Sequence, residues 1–599
     1  MDNGAIPQEE NRRMDLFGRY HNYELHPVKE IVGFENEAWE GVDQVSAQLS
    51  GEIQRILKNK KRVIVCLDFY PGVDREEILK IAGSLQPDRV FDMEEFVRSE
   101  TELDRELEEY LTEDRVFGVM CRRTMESFFD RGKLERAGRE LAQVKEGVCM
   151  AVGVGAGLLA RGDLYVYCNM TRWEIQLRYR AGMPNWHCNN QDAPVLSKYK
   201  RGFFVEWPVA DRYKKARYEE FDYMLDSGER GNPRMISGKA FRAGLEQITR
   251  EPFRMEPYFA PGVWGGHWMQ ENFGLDAGKE NFAWSFDGVP EENSINLKFA
   301  KVTVKIPAID AVLYRPRRLL GERVHARFGA EFPIRFDLLD TMGGGNLSLQ
   351  VHPLTEYIQD HFGMHYTQDE SYYLLDADEG EETYVYLGVK KDVDREAMAR
   401  DLKLAQEGLC TFPAEEYVNR VPVQRHDHIL IPAGTVHCSG KNTMVLEISA
   451  TPYIFTFKLW DWGRVGLDGI PRPIHLEHGL RNIQWDRDTE WIYDNLVRQE
   501  KTVLERSGCK VERTGLHERE FIDTLRYSLT QPCTVEMDDS VHVMNLVDGS
   551  HVLIESTDDS FAPFELHYAE TAIVPADVKR YRIVPRGEEI MLVVAFVRR

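Results

Sequence analysis

Apolar runs in the first part of the chain alternate with charged stretches of helical character. Arg62 to Leu67 is a continuous apolar run of the kind found in buried strands. Further strand-like runs are Val116 to Met120, Val148 to Val154 and Leu164 to Tyr167, and the helical stretches are Glu95 to Leu111 and Lys133 to Lys145. This alternation predicts an α/β domain with a mostly parallel sheet.

The pattern changes near Phe253, where β-type residues, glycine turns and prolines become frequent. One helical stretch, Asp394 to Glu407, interrupts this part of the chain. The last hundred residues alternate as short strands, which predicts a closed or sandwiched β-barrel. The polar segment from Asp226 to Phe253 marks the junction. We therefore expect three domains, at residues 1–250, 251–500 and 501–599.

Three segments of the second domain carry candidate metal ligands. In NLSLQVHP the residues Ser348, Gln350 and His352 share one strand face, which an exposed strand would also explain. In IPAGTVH a Pro-Gly turn precedes His437, and Glu370 lies between the two histidines just before a strand. Two imidazoles and a carboxylate suit Zn²⁺, although iron or manganese stays open. Gln350 is a further ligand or an outer-shell group.

These segments together resemble the class I mannose-6-phosphate isomerases, which belong to the cupin superfamily. The resemblance extends to Met255–Gly274, where Trp264 lies in a W-G-G motif, to the helical stretch and to residues 520–599, so it covers about 253–599. It implies a double cupin (β-barrel or jelly roll) with a helical insertion, following the N-terminal α/β domain. It also implies a Zn²⁺ enzyme that interconverts mannose 6-phosphate and fructose 6-phosphate.

By family position, the resemblance makes His352, Glu370 and His437 metal ligands, with Gln350 contributing. It places Lys458 and Arg464 as catalytic candidates. The remaining candidates for substrate contact are Ser348, Gln368 and Trp264.

The chain departs from the family at two of these positions. The family commonly reads G-K-T-E around the metal carboxylate, whereas this chain has Gln368 at the lysine position and Asp369 beside it. Lys458 stands where the family has a catalytic arginine, so the charge is kept without the planar fork. Two alternatives therefore stay open, a non-catalytic sugar-sensing or regulatory cupin and an isomerase of a non-phosphorylated sugar.

Residues 60–215 resemble a nucleoside or uridine kinase-like P-loop domain more weakly, through Lys61 to Leu79 and Val152 to Arg178. No G-x-x-x-x-G-K-[ST] motif occurs, and Asp74, Arg75 and Glu76 stand where it would fall. Two carboxylates oppose nucleotide phosphates in such a loop. We therefore expect a degenerate, non-catalytic domain, with a surviving small-molecule site as the alternative.

Composition limits the partners. The net charge is −24, which disfavours nucleic acid and anionic lipid and requires local cations for an anionic substrate such as a sugar phosphate. No apolar run reaches the length of about 18 residues that a membrane helix requires, and the N-terminus lacks a secretory h-region. Nine scattered cysteines without C-x-x-C pairs are typical of reduced thiols. We expect a cytoplasmic protein, and a homo-oligomer is compatible with the sequence.

Overall fold

The computed structural model describes residues 23–450, 454–467, 469 and 471–599, together with the short strands Arg13–Met14 and Tyr20–His21. The chain forms two compact units. The α/β unit comprises Pro27–Ile248 and Pro290–Arg315, and the β unit comprises Met1–His26, Thr249–Val289 and Pro316–Arg599. Among the residues described, no helix combines the length and apolar character needed to span a bilayer.

A seven-stranded sheet is the centre of the α/β unit, and its middle strands are parallel. The predicted strand at Arg62 extends to Phe69 and lies between two other predicted strands. In spatial order the strands are Ala38–Glu40, Arg234–Ser237, Tyr223–Asp226, Leu164–Asn169, Arg62–Phe69, Gly147–Val154 and Arg89–Asp92. The α-helices of this unit are Gly41–Leu57, Arg75–Ser84, Glu100–Leu111, Arg131–Gln143, Arg172–Arg180, Val195–Arg201, Trp207–Lys215, Gly238–Ile248 and Ile309–Tyr314.

The strand predicted at Val116 to Met120 is wrong, because the structure has no regular element there. The segment is instead an extended connection that bonds to helical neighbours, with Val119 N donating to Tyr110 O at 2.7 Å and Cys121 N donating to Phe204 O at 2.8 Å. Gly118 packs so close to Tyr110 O that a Cβ would lie 2.4 Å from it. An apolar run of this length predicts that the segment is buried, but it does not predict that the segment pairs with another strand.

The segment 290–315 belongs to the α/β unit, although the sequence places it inside the predicted domain 251–500. Its strands Ser294–Phe299 and Val302–Pro307 form a small sheet with Val28–Glu30. Its helix carries the fully buried Asp310, which forms an ion pair with Lys214 at 2.5 Å and accepts from Asn169 Nδ2 at 2.8 Å. These long-range polar contacts are invisible to local sequence patterns.

The helix Arg75–Ser84 begins where a phosphate-binding loop would lie, and a side chain of the same chain caps its N-terminus. The Asp74 carboxylate caps the helix Arg75–Ser84 by accepting from Glu76 N at 3.1 Å and Glu77 N at 3.3 Å. A carboxylate therefore already engages the amides that would face an anion at this helix N-terminus.

The β unit contains two pairs of sheets. In the first pair, the six-stranded sheet is ordered Tyr258–Ala260, Trp284–Phe286, Ile334–Asp340, Thr443–Ala450, Glu370–Ala377 and His428–Ile431. The five-stranded sheet is ordered Val418–Pro422, Tyr384–Val389, His437–Ser439, Leu349–Val351 and Phe457–Trp460. The predicted helix is confirmed as Arg395–Gln406, with Asp394 accepting from Ala397 N at 2.9 Å as its N-cap.

The second pair of sheets encloses an apolar core to which both sheets contribute. The strands predicted near the C-terminus are all present. The six-stranded sheet is ordered Lys501–Arg506, Cys509–Arg513, Ile522–Leu529, Ile590–Val597, His542–Asp548 and Thr571–Val574, and the four-stranded sheet Cys533–Glu536, Arg580–Pro585, His551–Ser556 and Phe564–His567. The remaining α-helices are Trp268–Phe273, Pro316–Leu320, Glu322–Phe328, Thr355–Phe362, Ala414–Tyr417, Leu476–Asn482 and Thr489–Asn495.

Candidate metal centre

The three predicted ligands come from both sheets of the first pair. Glu370 begins the strand Glu370–Ala377 of the six-stranded sheet, and His437 begins His437–Ser439 of the five-stranded sheet. His352 directly follows the strand Leu349–Val351. All three side chains are fully buried, with exposures of 1 % or less. Three polar side chains are therefore buried between these two sheets, whereas the second pair of sheets encloses an apolar core.

The ligand atoms of these three residues converge. One atom from each lies within 4.8 Å of the others, a spacing that could hold a metal ion. His352 Nε2 lies 3.0 Å from Glu370 Oε2, and His437 Nε2 lies 2.8 Å from Glu370 Oε1. His352 Nε2 and Glu370 Oε1 are buried and make no hydrogen bond within the part of the chain described. Because buried unsatisfied polar atoms are costly, this donor set fits a metal ion.

Both imidazoles are oriented by backbone carbonyls. His352 Nδ1 lies 3.1 Å from Phe455 O, and His437 Nδ1 lies 2.9 Å from Thr435 O. A carbonyl can only accept, so each Nδ1 carries the proton and each Nε2 keeps its lone pair. This is the tautomer that a metal-binding histidine requires when Nε2 is the ligand atom.

Gln350 lies beside the group. It is the register partner of His437, and Gln350 Nε2 is 3.2 Å from His437 Nε2. Gln368 is also in contact, since its Nε2 donates to Glu370 Oε2 at 2.9 Å. Gln368 is 2 % exposed, and its Oε1 atom has no partner among the residues described. The Gln368 amide therefore holds the Glu370 carboxylate in place.

A buried charge cluster adjoins Gln368 and was not found from the sequence. Gln368 Nε2 lies 3.4 Å from Glu447 Oε1, and the Arg335 guanidinium contacts Glu447 and lies 3.3 Å from Asp337 Oδ1. Burial raises the pKa of Asp337 to about 7 and that of Glu447 well above its ordinary value. The sequence did contain a signal for this cluster: Arg335 and Asp337 are two residues apart in an otherwise apolar strand, so their side chains lie on the same sheet face.

Lys458 shares a sheet face with Gln350. The two residues are register partners in antiparallel strands, so their side chains leave the sheet on the same side. Lys458 is half-buried, and burial lowers the pKa of its amine to about 7, with the charge of Arg472 adding to this effect and Asp461 opposing it. Lys458 Nζ makes no hydrogen bond or ion pair with any described residue. The Lys458 amine, which has no partner among the described residues, thus lies on the sheet face that carries Gln350.

The other predicted substrate residues gather around Asp461. Its carboxylate accepts from Ser348 Oγ at 2.8 Å and from Arg464 Nη2 at 2.7 Å. Arg472 Nη1 donates to the same carboxylate at 3.0 Å, and its guanidinium lies 4.9 Å from the Trp264 ring centre. The structure therefore brings together Ser348, Arg464 and Trp264. Sequence reasoning missed Asp461 and Arg472, because neither lies in a periodic pattern.

The α/β unit matches a family of unexplained function. Residues 41–250 match the model described as Domain of unknown function (DUF8485). The kinase-like resemblance of residues 60–215 stays a prediction.

The similarity to curated proteins concerns sugar isomerases. The chain is 26 % identical over 233 residues to the mannose-6-phosphate isomerase of Streptococcus mutans, covering 38 % of this chain and 67 % of that protein. It is 25 % identical over 244 residues to mannose-6-phosphate isomerase ManA of Bacillus subtilis, covering 40 % of this chain and 69 % of that protein. The chain is homologous to mannose-6-phosphate isomerases over about 40 % of its length. The resemblance stated from the motifs is confirmed to this extent.

Solved structures of such isomerases match a larger share of the chain at lower sequence identity. The mannose 6-phosphate isomerase of Bacillus subtilis superposes with a TM-score of 0.46 at 18 % identity, over 58 % of this chain and 99 % of that one. A variant of phosphomannose isomerase from Salmonella typhimurium superposes with a TM-score of 0.45 at 14 % identity, over 58 % of this chain and 100 % of that one.

Proposed function

We propose that the β unit is a Zn²⁺-dependent aldose–ketose isomerase that interconverts mannose 6-phosphate and fructose 6-phosphate. The observation that carries this proposal is the convergence of His352, Glu370 and His437 in a buried group that Lys458 faces. The homology to mannose-6-phosphate isomerases supports the substrate pair.

In this proposal His352, Glu370 and His437 hold the metal, and Gln350 lies beside them. A bound Zn²⁺ would act as a Lewis acid toward the oxygens at C1 and C2 of the sugar. Gln368 keeps the Glu370 carboxylate in place through its 2.9 Å hydrogen bond. The Nδ1–carbonyl hydrogen bonds keep both imidazoles turned toward the site.

Aldose–ketose isomerisation moves a proton between C1 and C2 through a cis-enediol. Negative charge develops on the oxygens, and a nearby cation stabilises it. We assign this role to Lys458, because its ammonium group has no competing partner among the described residues. Glu447 is the candidate acid of the site, since burial raises the pKa of its carboxyl well above the ordinary value and Gln368 links it to Glu370.

The phosphate would be held by the side chains around Asp461. Arg464 and Arg472 supply two cations against the single Asp461 carboxylate, so this corner carries a positive surplus despite the net charge of −24. Arginine also offers paired donors that match phosphate oxygens. Trp264 and Ser348 border the same corner.

A non-phosphorylated sugar is the second candidate substrate. Asp461 already pairs with both Arg464 and Arg472, and Gln368 replaces the family lysine, which weakens the case for a phosphate. A regulatory protein that binds sugar without turnover would share the same metal ligands.

An isomerase assay on phosphorylated and free sugars distinguishes these readings. The zinc-loaded full chain should convert mannose 6-phosphate, and His352→Ala should not. Turnover of free sugars alone would favour the second candidate. Metal binding without turnover of any sugar on the panel would contradict both enzyme proposals and favour the sensor.

We propose a non-catalytic role for the α/β unit, since the phosphate-loop residues are absent and Asp74 caps the helix where they would lie. A cytoplasmic location, and the absence of nucleic-acid and membrane partners, remain predictions from charge and composition.

A further inference from the structure

The turn Pro432–Thr435 touches the segments of both metal-binding histidines. Gly434 N donates to His352 O at 3.0 Å, and Thr435 O lies 2.9 Å from His437 Nδ1. Gly434 has φ +89°, and a Cβ there would lie 2.7 Å from the Gln484 side chain. The turn is therefore fixed in shape and in place.

The same turn reaches the third ligand. Ala433 N donates to Asp369 Oδ1 at 2.8 Å, and Asp369 directly precedes Glu370. All three ligand-bearing segments thus bond to four consecutive residues. A shift of this turn would move the three ligands relative to one another.

Arg487 holds the turn from outside the ligand group. Its Nη1 atom lies 2.6 Å from Pro432 O, 2.7 Å from Ala433 O and 2.5 Å from Thr435 Oγ1, so its two N–H groups are shared among three acceptors. The side chain is 6 % exposed and its guanidinium lies 5.5 Å from the Trp491 ring centre. One guanidinium nitrogen therefore contacts three oxygen atoms of the turn.

A buried cation with this arrangement needs compensating charge. Burial lowers the pKa of Arg487 only to about 10, so the guanidinium stays charged at neutral pH, and the carboxylates of Asp369 and Asp486 act on it favourably. Glu520 is 3 % exposed, and neither of its carboxylate oxygens has a hydrogen-bond partner within the described part of the chain. Burial raises the pKa of Glu520 well above its ordinary value, and the positive charge of Arg487 opposes that rise.

We infer that Arg487 is a positioning residue for the metal centre. Through the turn it fixes the carbonyl that sets the His437 tautomer and the spacing of His352 and Glu370. The inference rests on the proposed function only for the presence of a metal, and it does not require isomerase activity.

The test measures metal affinity in the full chain. Zn²⁺ affinity is determined by competition with a chromophoric chelator, and the Co²⁺-loaded proteins are compared by visible absorption. Removal of an outer-shell group typically weakens metal binding by about 10–100-fold, so Arg487→Gln should show a loss of this size and altered Co²⁺ bands. Arg487→Lys keeps the charge without the planar fork and should lie between Arg487→Gln and the wild type.

Arg323→Gln is the matched control. Arg323 also donates to backbone carbonyls, to Val597 O at 2.9 Å and Asp538 O at 3.2 Å, in contacts with the C-terminal pair of sheets. Arg323→Gln should leave Zn²⁺ affinity and the Co²⁺ bands unchanged. Far-UV circular dichroism checks folding, and Arg487→Lys decides the question if Arg487→Gln does not fold.

The inference is overturned if the decisive Arg487 variant binds Zn²⁺ like the wild type with unchanged Co²⁺ bands, or if Arg323→Gln loses as much affinity. It is also overturned if the wild type binds no metal. If the wild type binds metal and the affinity loss is seen, but no sugar is isomerised, the proposed function fails while the positioning role of Arg487 stands.

Discussion

Lys458 faces Gln350 across an antiparallel strand pair, and Gln350 Nε2 lies 3.2 Å from the Nε2 atom of His437. This register puts the Lys458 amine, for which the described part of the chain offers no partner, on the same sheet face as Gln350. A shift of one residue would turn Lys458 to the opposite face of the sheet. The strand pairing therefore decides whether this lysine can take part in the chemistry.

Lys458→Met should lower kcat for mannose 6-phosphate by roughly 100-fold or more, because it removes the cation proposed to stabilise the developing oxyanion. Lys458→Arg keeps a charge and should retain much of the activity. Zn²⁺ affinity should be unchanged in both variants, since neither removes a ligand. Steady-state kinetics and metal titration check this, and wild-type kcat in Lys458→Met would contradict the role.

Arg472→Gln should raise KM for mannose 6-phosphate about tenfold, because it removes one donor from the corner proposed to hold the phosphate. Metal affinity should not change. Arg481→Gln is the control, since Arg481 forms an exposed ion pair with Glu477 at 2.7 Å. Equal KM values for Arg472→Gln and the wild type would place the phosphate elsewhere.

The stability of the second pair of sheets should depend on His542. Burial lowers the pKa of His542 to about 4, below its ordinary value of 6.5, so the unfolded chain binds a proton more readily. The unfolding free energy should therefore fall as pH decreases from about 6.5 to about 4, by up to about 3 kcal/mol from this group.

Urea unfolding at several pH values checks this linkage. The difference in stability between wild type and His542→Gln should shrink as the pH is lowered through that range. His551→Gln removes a half-exposed histidine from the same pair of sheets and serves as the comparison. Parallel stability curves for wild type and His542→Gln would contradict the assigned protonation.

Local patterns were sufficient to predict part of this protein. The Pro-Gly turn before His437, the alternation that ends at His352 and the capped helix after Asp394 are properties of a few consecutive residues. The mostly parallel sheet followed from the strand–helix alternation around Arg62. In each case the information needed lies within one segment of the chain.

Other features depend on pairings that no local pattern contains. Arg335 contacts Glu447 only because two strands that are distant in sequence are neighbours in one sheet. Asp310 belongs to the α/β unit because the segment Pro290–Arg315 packs there, although both flanking segments belong to the β unit. Arg487 was missed for the same reason, since its acceptors lie more than fifty residues away. The apolar segment at Val116 was misread because burial alone does not specify strand pairing.

In the proposed function, the β unit isomerises mannose 6-phosphate with a metal held by His352, Glu370 and His437. The most direct measurement is fructose 6-phosphate formation by metal-stripped full-length protein before and after addition of one equivalent of Zn²⁺, with Glu370→Gln treated in the same way. We expect no activity in the stripped protein, restored activity with one equivalent of Zn²⁺, and no restoration in Glu370→Gln. Undiminished activity in the stripped protein, or equal restoration in Glu370→Gln, would contradict it.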